Sequence, residues 1–155
     1  MNLYSARREP MAVPAIFWRA EMQSALIATV AIHVLAAVFW AGTTFGLART
    51  GGASADRLFG SQMGAALIAV LSGGYLWTLT HPGGFFGPAE QVLAAGALAA
   101  ITAAGVQGVL VGPALRRIRG AEADHGARKR VALAYRVSAA LLAITILTMT
   151  SARFL

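Results

Sequence analysis

The sequence predicts an all-α integral membrane protein, a four-helix bundle, on three observations. Of the 155 residues, 57% are hydrophobic and 12% charged, with mean hydropathy +0.65. A soluble domain is usually about 25% charged, so this chain lacks the polar surface to coat a globule in water. Uncharged stretches run over 23–48, 58–89, 91–115 and 137–152. Almost all of the net charge of +7 lies at the ends of these stretches, where membrane proteins keep it. That placement speaks against nucleic acid as a partner and for the lipid bilayer. Cysteine is absent, which excludes disulfides, thiolate metal sites and thiol catalysis.

A helix needs about 20 apolar residues to cross about 30 Å of hydrocarbon, and backbone inside lipid must satisfy its own hydrogen bonds. The expected spans are 24–48, 58–80, 91–115 and 131–152. The second is cut by the turn cluster His81-Pro82-Gly83-Gly84. The fourth reaches full length by starting near Val131, with Arg136 snorkelling to the interface. Residues 1–23 read as an interfacial lead-in, with Phe17-Trp18 as an aromatic anchor. No short apolar core with a cleavage site is present there, so the first span is expected to act as an uncleaved insertion signal.

Four spans put both termini and the 81–90 loop on one side. The opposite side receives Arg49 and Arg57 from the first loop. It also receives Arg116, Arg117, Arg119, Arg128, Lys129 and Arg130 from the loop 116–130. Positive-inside bias therefore places both termini on the periplasmic side of a bacterial inner membrane. The pairs Gly42/Gly46, Gly60/Gly64 and Gly108/Gly112 are expected to let helix backbones approach. No Rossmann fingerprint, P-loop, HExxH or Gly-x-Ser-x-Gly motif occurs.

With about 1.5 Å of rise per residue, the midplane falls near Ala36, Ala69, Ala103 and Leu141. His33 then lies slightly toward the outer face. Ser72 and Thr145 fall near its level, with Tyr75 and Thr148 a turn further out, as candidate hydrogen-bond partners for a ligating imidazole. An inner polar group comprises Gln62, Gln107, Arg136, Thr43 and Thr44. Near the outer surface, His81, Met22 and Met149, with Met11 in the lead-in, offer imidazole and thioether donors suited to Cu(I). His125 lies in the basic loop and is expected to be solvated. Trp40 and Arg49 are expected at the interface.

An ionisable residue inside a span is a functional candidate, while a neutral, bonded imidazole gluing helices together is the competing reading. His33 could ligate a metal in transit, hold a haem iron axially, or relay protons. Two bis-histidine haems would need four deep histidines, and His81 stands roughly 13 Å further out by level. Multi-haem electron transfer is excluded, and a single haem is not.

The pattern His33-x6-Trp40-x-Gly42, followed by Arg49, resembles the first helix of the copper resistance D (CopD-like) family of integral membrane proteins. Three further stretches are similar: "RLFGSQMGAALIAVLSGGYL", "GVQGVLVGPALRRI" and "RKRVALAYRVSAALLAITILTMTSARFL". The resemblance spans most of residues 25–153, although only the first-span pattern is specific. It implies copper binding, or an accessory role in copper transport, with His33 as the suggestive residue. The chain has neither the second membrane half nor the dense Met/His region of larger members, which speaks against autonomous transport.

The same pattern resembles the HemJ-type protoporphyrinogen oxidases, haem-associated membrane enzymes, with His33 and Arg49 carried over and haem b implied. That family has further histidine and lysine around its third span, and "QVLAAGALAAITAAGVQG" has neither. A structural or assembly subunit without cofactor is the third expectation. Its partner would be a membrane protein or a second copy.

Overall fold

The computed structural model describes residues 15–81, 83, 86–120 and 125–155, with side chains from residue 21 onward. Met11, Arg7 and Arg8 lie outside the described residues, as do Pro82, Gly84 and the side chains of Phe17, Trp18 and Arg19. The described chain is helical, with α1 (Ala15–Arg49), α2 (Ala55–Thr80), α3 (Pro88–Val106), α4 (Gly112–Gly120) and α5 (His125–Ser151). A π-helical turn, Gln107–Val111, joins α3 to α4, and a 3-10 turn, Ala152–Phe154, follows α5. Four helical stretches are long and apolar enough to cross a membrane: Glu21–Arg49, Ala55–Thr80, Pro88–Gly120 and His125–Phe154.

The helices outrun the expected spans. The first begins by Ala15 rather than at 24, the second at Ala55 rather than 58, and the third at Pro88 rather than 91. The basic segment expected as a loop over 116–130 is mostly helix, since α4 reaches Gly120 and α5 starts at His125. Charge marks where hydrocarbon ends, not where helix ends, and Arg and Lys are good helix formers.

Local chemistry fixes the turns. At the end of α1, Gly51 and Gly52 adopt φ of 65° and 86°. The Gly52 N–H reaches back to the Leu47 carbonyl at 2.7 Å, the closing bond of a Schellman motif. A Cβ on Gly52 would stand 2.6 Å from Val131 Cγ1, so this turn packs directly on α5. At the start of α3, Pro88 takes the first helical position, where its missing N–H costs nothing. Glu90 accepts the Gly87 N–H at 2.9 Å.

The π-turn has a cause in Pro113. Proline brings no N–H, and in a regular helix its ring collides with the carbonyl four residues earlier. Widening the preceding turn, Gln107–Val111, relieves that collision.

Helix α5 is the axis of the bundle. It buries Ala127, Val131, Ala134, Tyr135, Ser138, Ala139, Leu142 and Thr145, one stripe at helical spacing. It packs along α3 and against α1, and α1 packs along α2. The contact between α2 and α3 is thinner, leaving an apolar groove lined by Met63, Leu67, Val70 and Ile101. Helix α1 buries Ala36, Trp40, Thr44 and Leu47. Its outer half is largely open, as expected where lipid rather than protein covers apolar side chains.

The four residues expected at one depth do pack together. Ala36, Ala69 and Ala103 share one buried cluster, and Leu141 packs against it. A second cluster at the basic end gathers Leu47, Val111, Leu115, Val131 and Tyr135.

The glycine pairs behave differently from expectation. A Cβ at Gly42, Gly46, Gly60 or Gly64 would meet nothing within 4 Å. At Gly108 and Gly112 it would only touch Met63 and Phe59 side chains. Close approach occurs instead at Gly73, under the His33 ring, and at Gly96, against Thr148. The motif spacing reports small residues on one face but not which neighbour that face meets.

Candidate functional site

His33 faces a sister helix, one turn outward from Ala36. Its Nδ1 lies 2.9 Å from the Ala69 carbonyl and 3.1 Å from Ser72 Oγ on α2. A carbonyl only accepts, so Nδ1 carries the proton and donates to it. The Ser72 hydroxyl donates to the Ile68 carbonyl at 2.6 Å, which leaves its oxygen free to accept from the same Nδ1–H. This tautomer is assigned from the network. It puts the ring's lone pair on Nε2. The ring lies over Gly73, where a Cβ would come within 3.0 Å of Cε1.

An imidazole whose Nδ1–H is committed to a backbone carbonyl is the arrangement that orients histidine as a metal ligand through Nε2. Of the expected partners, Ser72 is in place. Thr145 is turned to α3, donating to the Gly96 carbonyl at 3.0 Å and to Leu141 O at 3.0 Å. Thr148 donates to Ile144 and Thr145 carbonyls on its own helix, and Tyr75 is exposed. Depth alone does not say which way a side chain points around its helix.

The inner polar group is the most connected feature of the molecule. Trp40 Nε1 donates to Gln107 Oε1 at 2.9 Å. Gln107 Nε2 and Gln62 Nε2 both donate to Thr44 Oγ1, at 3.0 and 2.9 Å. Thr44 donates its own hydroxyl to the Trp40 carbonyl at 2.7 Å. Tyr135 OH donates to Gln62 Oε1 at 3.0 Å, and Gln62 Nε2 also reaches Thr43 Oγ1 at 3.2 Å. The network therefore ties all four membrane-crossing stretches at one level. Thr44, Gln62, Gln107 and Tyr135 are fully buried, and no described buried side-chain polar atom lacks a partner.

The inner polar group loses Arg136 and gains Trp40. Arg136 is exposed and stands outside the network, consistent with snorkelling. Trp40 is not at an interface but 2% exposed in the interior. Arg49 is exposed at the end of α1.

The outer donors lie in separate surroundings. The His81 ring stacks on Trp77, with centroids 4.5 Å apart. Its Nδ1 lies 2.8 Å from Thr80 Oγ1, and its Nε2 is 3.6 Å from Glu90 Oε1. Met149 packs by Gly96, and Met22 is 71% exposed. Among the described residues no group of three or more His, Cys, Asp or Glu is placed to hold a metal ion. His125, the first residue of α5, is exposed.

Sequence reasoning missed Tyr135 as the fourth helix's contribution to the network. A tyrosine beside Arg136 reads as an interfacial residue, yet its polar tip needs a partner once buried, and Gln62 at matching depth was the available signal. Ser138, which donates to the Ala103 carbonyl at 3.2 Å, was missed because a backbone acceptor leaves no mark in sequence. Comparison with known protein families, curated proteins and solved structures finds no match to this chain.

Proposed function

We propose that this chain is a multi-pass protein of the bacterial inner membrane that takes part in copper handling, with His33 as its metal donor. The observation that carries the reading is the commitment of His33 Nδ1 to the Ala69 carbonyl, which leaves a lone pair on Nε2 inside a membrane-crossing helix. A neutral imidazole fixed in this way suits a transition metal. Copper is cargo here rather than a resident cofactor.

One imidazole is one donor. With no three-residue cluster among the described residues, the other donors come from a second copy or a partner protein. That favours an accessory role over independent transport. His81, Met22 and Met149 remain outer donors in this proposal, for an ion approaching from the periplasmic side. The gathering of basic residues on α4 and the first turns of α5 supports termini on the periplasmic side. A reporter fused at Leu155 is then active in the periplasm, and cytoplasmic activity overturns the orientation.

Because haem iron accepts a single histidine as its proximal ligand, the lone donor favours one further reading, a haem b protein of the protoporphyrinogen oxidase type. The same purified sample separates them. Stoichiometric copper without a Soret band, lost in His33→Ala at unchanged helicity, is the expected result. A Soret band lost in the same variant establishes the haem reading instead. Copper content unaffected by His33→Ala reduces His33 to structural glue and overturns its role as donor, whereas neither signal in the parent leaves a structural or assembly subunit and sinks both.

A further inference from the structure

We propose that the basic end of the bundle carries a binding site for an anionic phospholipid, in the groove between α4 and the start of α5. Arg117 from α4 and Arg130 from α5 line one groove together with Val109, Leu110, Pro113 and Gly126. The two arginines come from different helices and line the groove together with apolar side chains. Among the described residues neither is held by a carboxylate, whereas Arg119 is occupied by the Asp56 carbonyl at 3.4 Å.

The groove has two chemistries in the order a lipid needs. Arg117 and Arg130 lie at the level where charged side chains crowd the ends of the helices, beside Arg116, Arg128 and Lys129. Val109 and Leu110 lie deeper in the span, on the π-turn, and are 72% and 44% exposed. A phosphate oxygen pair matches the planar fork of each guanidinium. The acyl chain of the same molecule can then run along Val109 and Leu110. Gly126 adds no side chain to the wall. Basic pockets between membrane helices bind anionic headgroups in this way, so charge and apolar exposure select a lipid over a soluble anion.

The test uses the full chain purified in neutral detergent and titrated with phosphatidylglycerol, phosphatidylcholine or inorganic phosphate, with bound ligand counted by native mass spectrometry. Phosphatidylglycerol is expected to bind and phosphatidylcholine not. The double variant Arg117→Gln/Arg130→Gln is expected to weaken phosphatidylglycerol roughly thirtyfold, as two cationic side chains at a lipid headgroup contribute. The charge-matched control Arg116→Gln/Arg128→Gln is expected to weaken it far less. Val109→Trp, which fills the groove without altering charge, is expected to reduce binding as well. Equal losses in the two double variants would mean a diffuse basic surface and overturn the proposal. Undiminished binding in Val109→Trp, or inorganic phosphate binding as tightly as phosphatidylglycerol, would overturn it too.

Discussion

Trp40 and Gln107 are joined side chain to side chain at 2.9 Å in the interior of the bundle, although they lie 67 positions apart. The pair does not stand alone, because the amide of Gln107 goes on to Thr44 and Thr44 also receives Gln62. One hydroxyl oxygen thus accepts two primary amides from two different helices. In lipid the gain per interhelical hydrogen bond is small, about 0.6 kcal/mol on average. Leaving a buried partner unpaired costs more, about 1–3 kcal/mol.

Thr44→Val keeps the shape of the hub and removes its oxygen. It is expected to destabilise the bundle by about 1–3 kcal/mol, read from reversible unfolding in mixed detergent micelles. Gln107→Leu is expected to cost a similar amount, and the double variant less than the sum, since the residues share partners. Strict additivity would show that they act separately.

The surface under His33 can be altered without touching the histidine. A Cβ at Gly73 would approach the ring to 3.0 Å, whereas at Gly74 it would meet nothing within 4 Å. Gly73→Val is therefore expected to displace the imidazole from Ala69 and, on the copper reading proposed above, to weaken copper binding at least about tenfold, as losses of orienting contacts do. Gly74→Val serves as the control. Equal copper affinity in Gly73→Val and the parent would show that the position of the ring does not govern binding.

Helices α3 and α5 approach at Gly96, where an added methyl would run into Thr148 Oγ1. Gly96→Ala is expected to cost about 1–3 kcal/mol, the usual range for overpacking. In a Thr148→Ala background most of that cost should vanish. A cost that persists there would place the conflict with Met149 instead, whose Cγ lies 3.3 Å from the same methyl position.

How much of this was legible in the sequence depends on the kind of partner involved. The helices were visible because uncharged runs of sufficient length have one stable backbone form in lipid. The shared level of Gln62, Gln107, Thr43 and Thr44 followed from rise per residue, and their contact was thereby within reach. Trp40 and Tyr135 were passed over, because each is both an apolar body and a hydrogen-bond donor, and composition alone favours the rim for such residues. The closeness of His33 and Ser72 was legible from their matching depth. The Ala69 carbonyl that decides the histidine's tautomer was not, since every residue carries a carbonyl. The open faces of Gly42 and Gly64 show the same limit from the other side: a small side chain permits contact without specifying it.

The wide turn at Gln107–Val111 also decides where the positive charge points. A π-turn takes up one residue more than an α-turn, and one residue corresponds to about 100° of rotation about the axis. Everything beyond it, Arg116, Arg117 and Arg119 included, is swivelled by that angle from the azimuth an unbroken helix would have imposed. A helical wheel drawn through the entire third span would therefore aim those arginines wrongly, and the compass of the charged end is set by a proline.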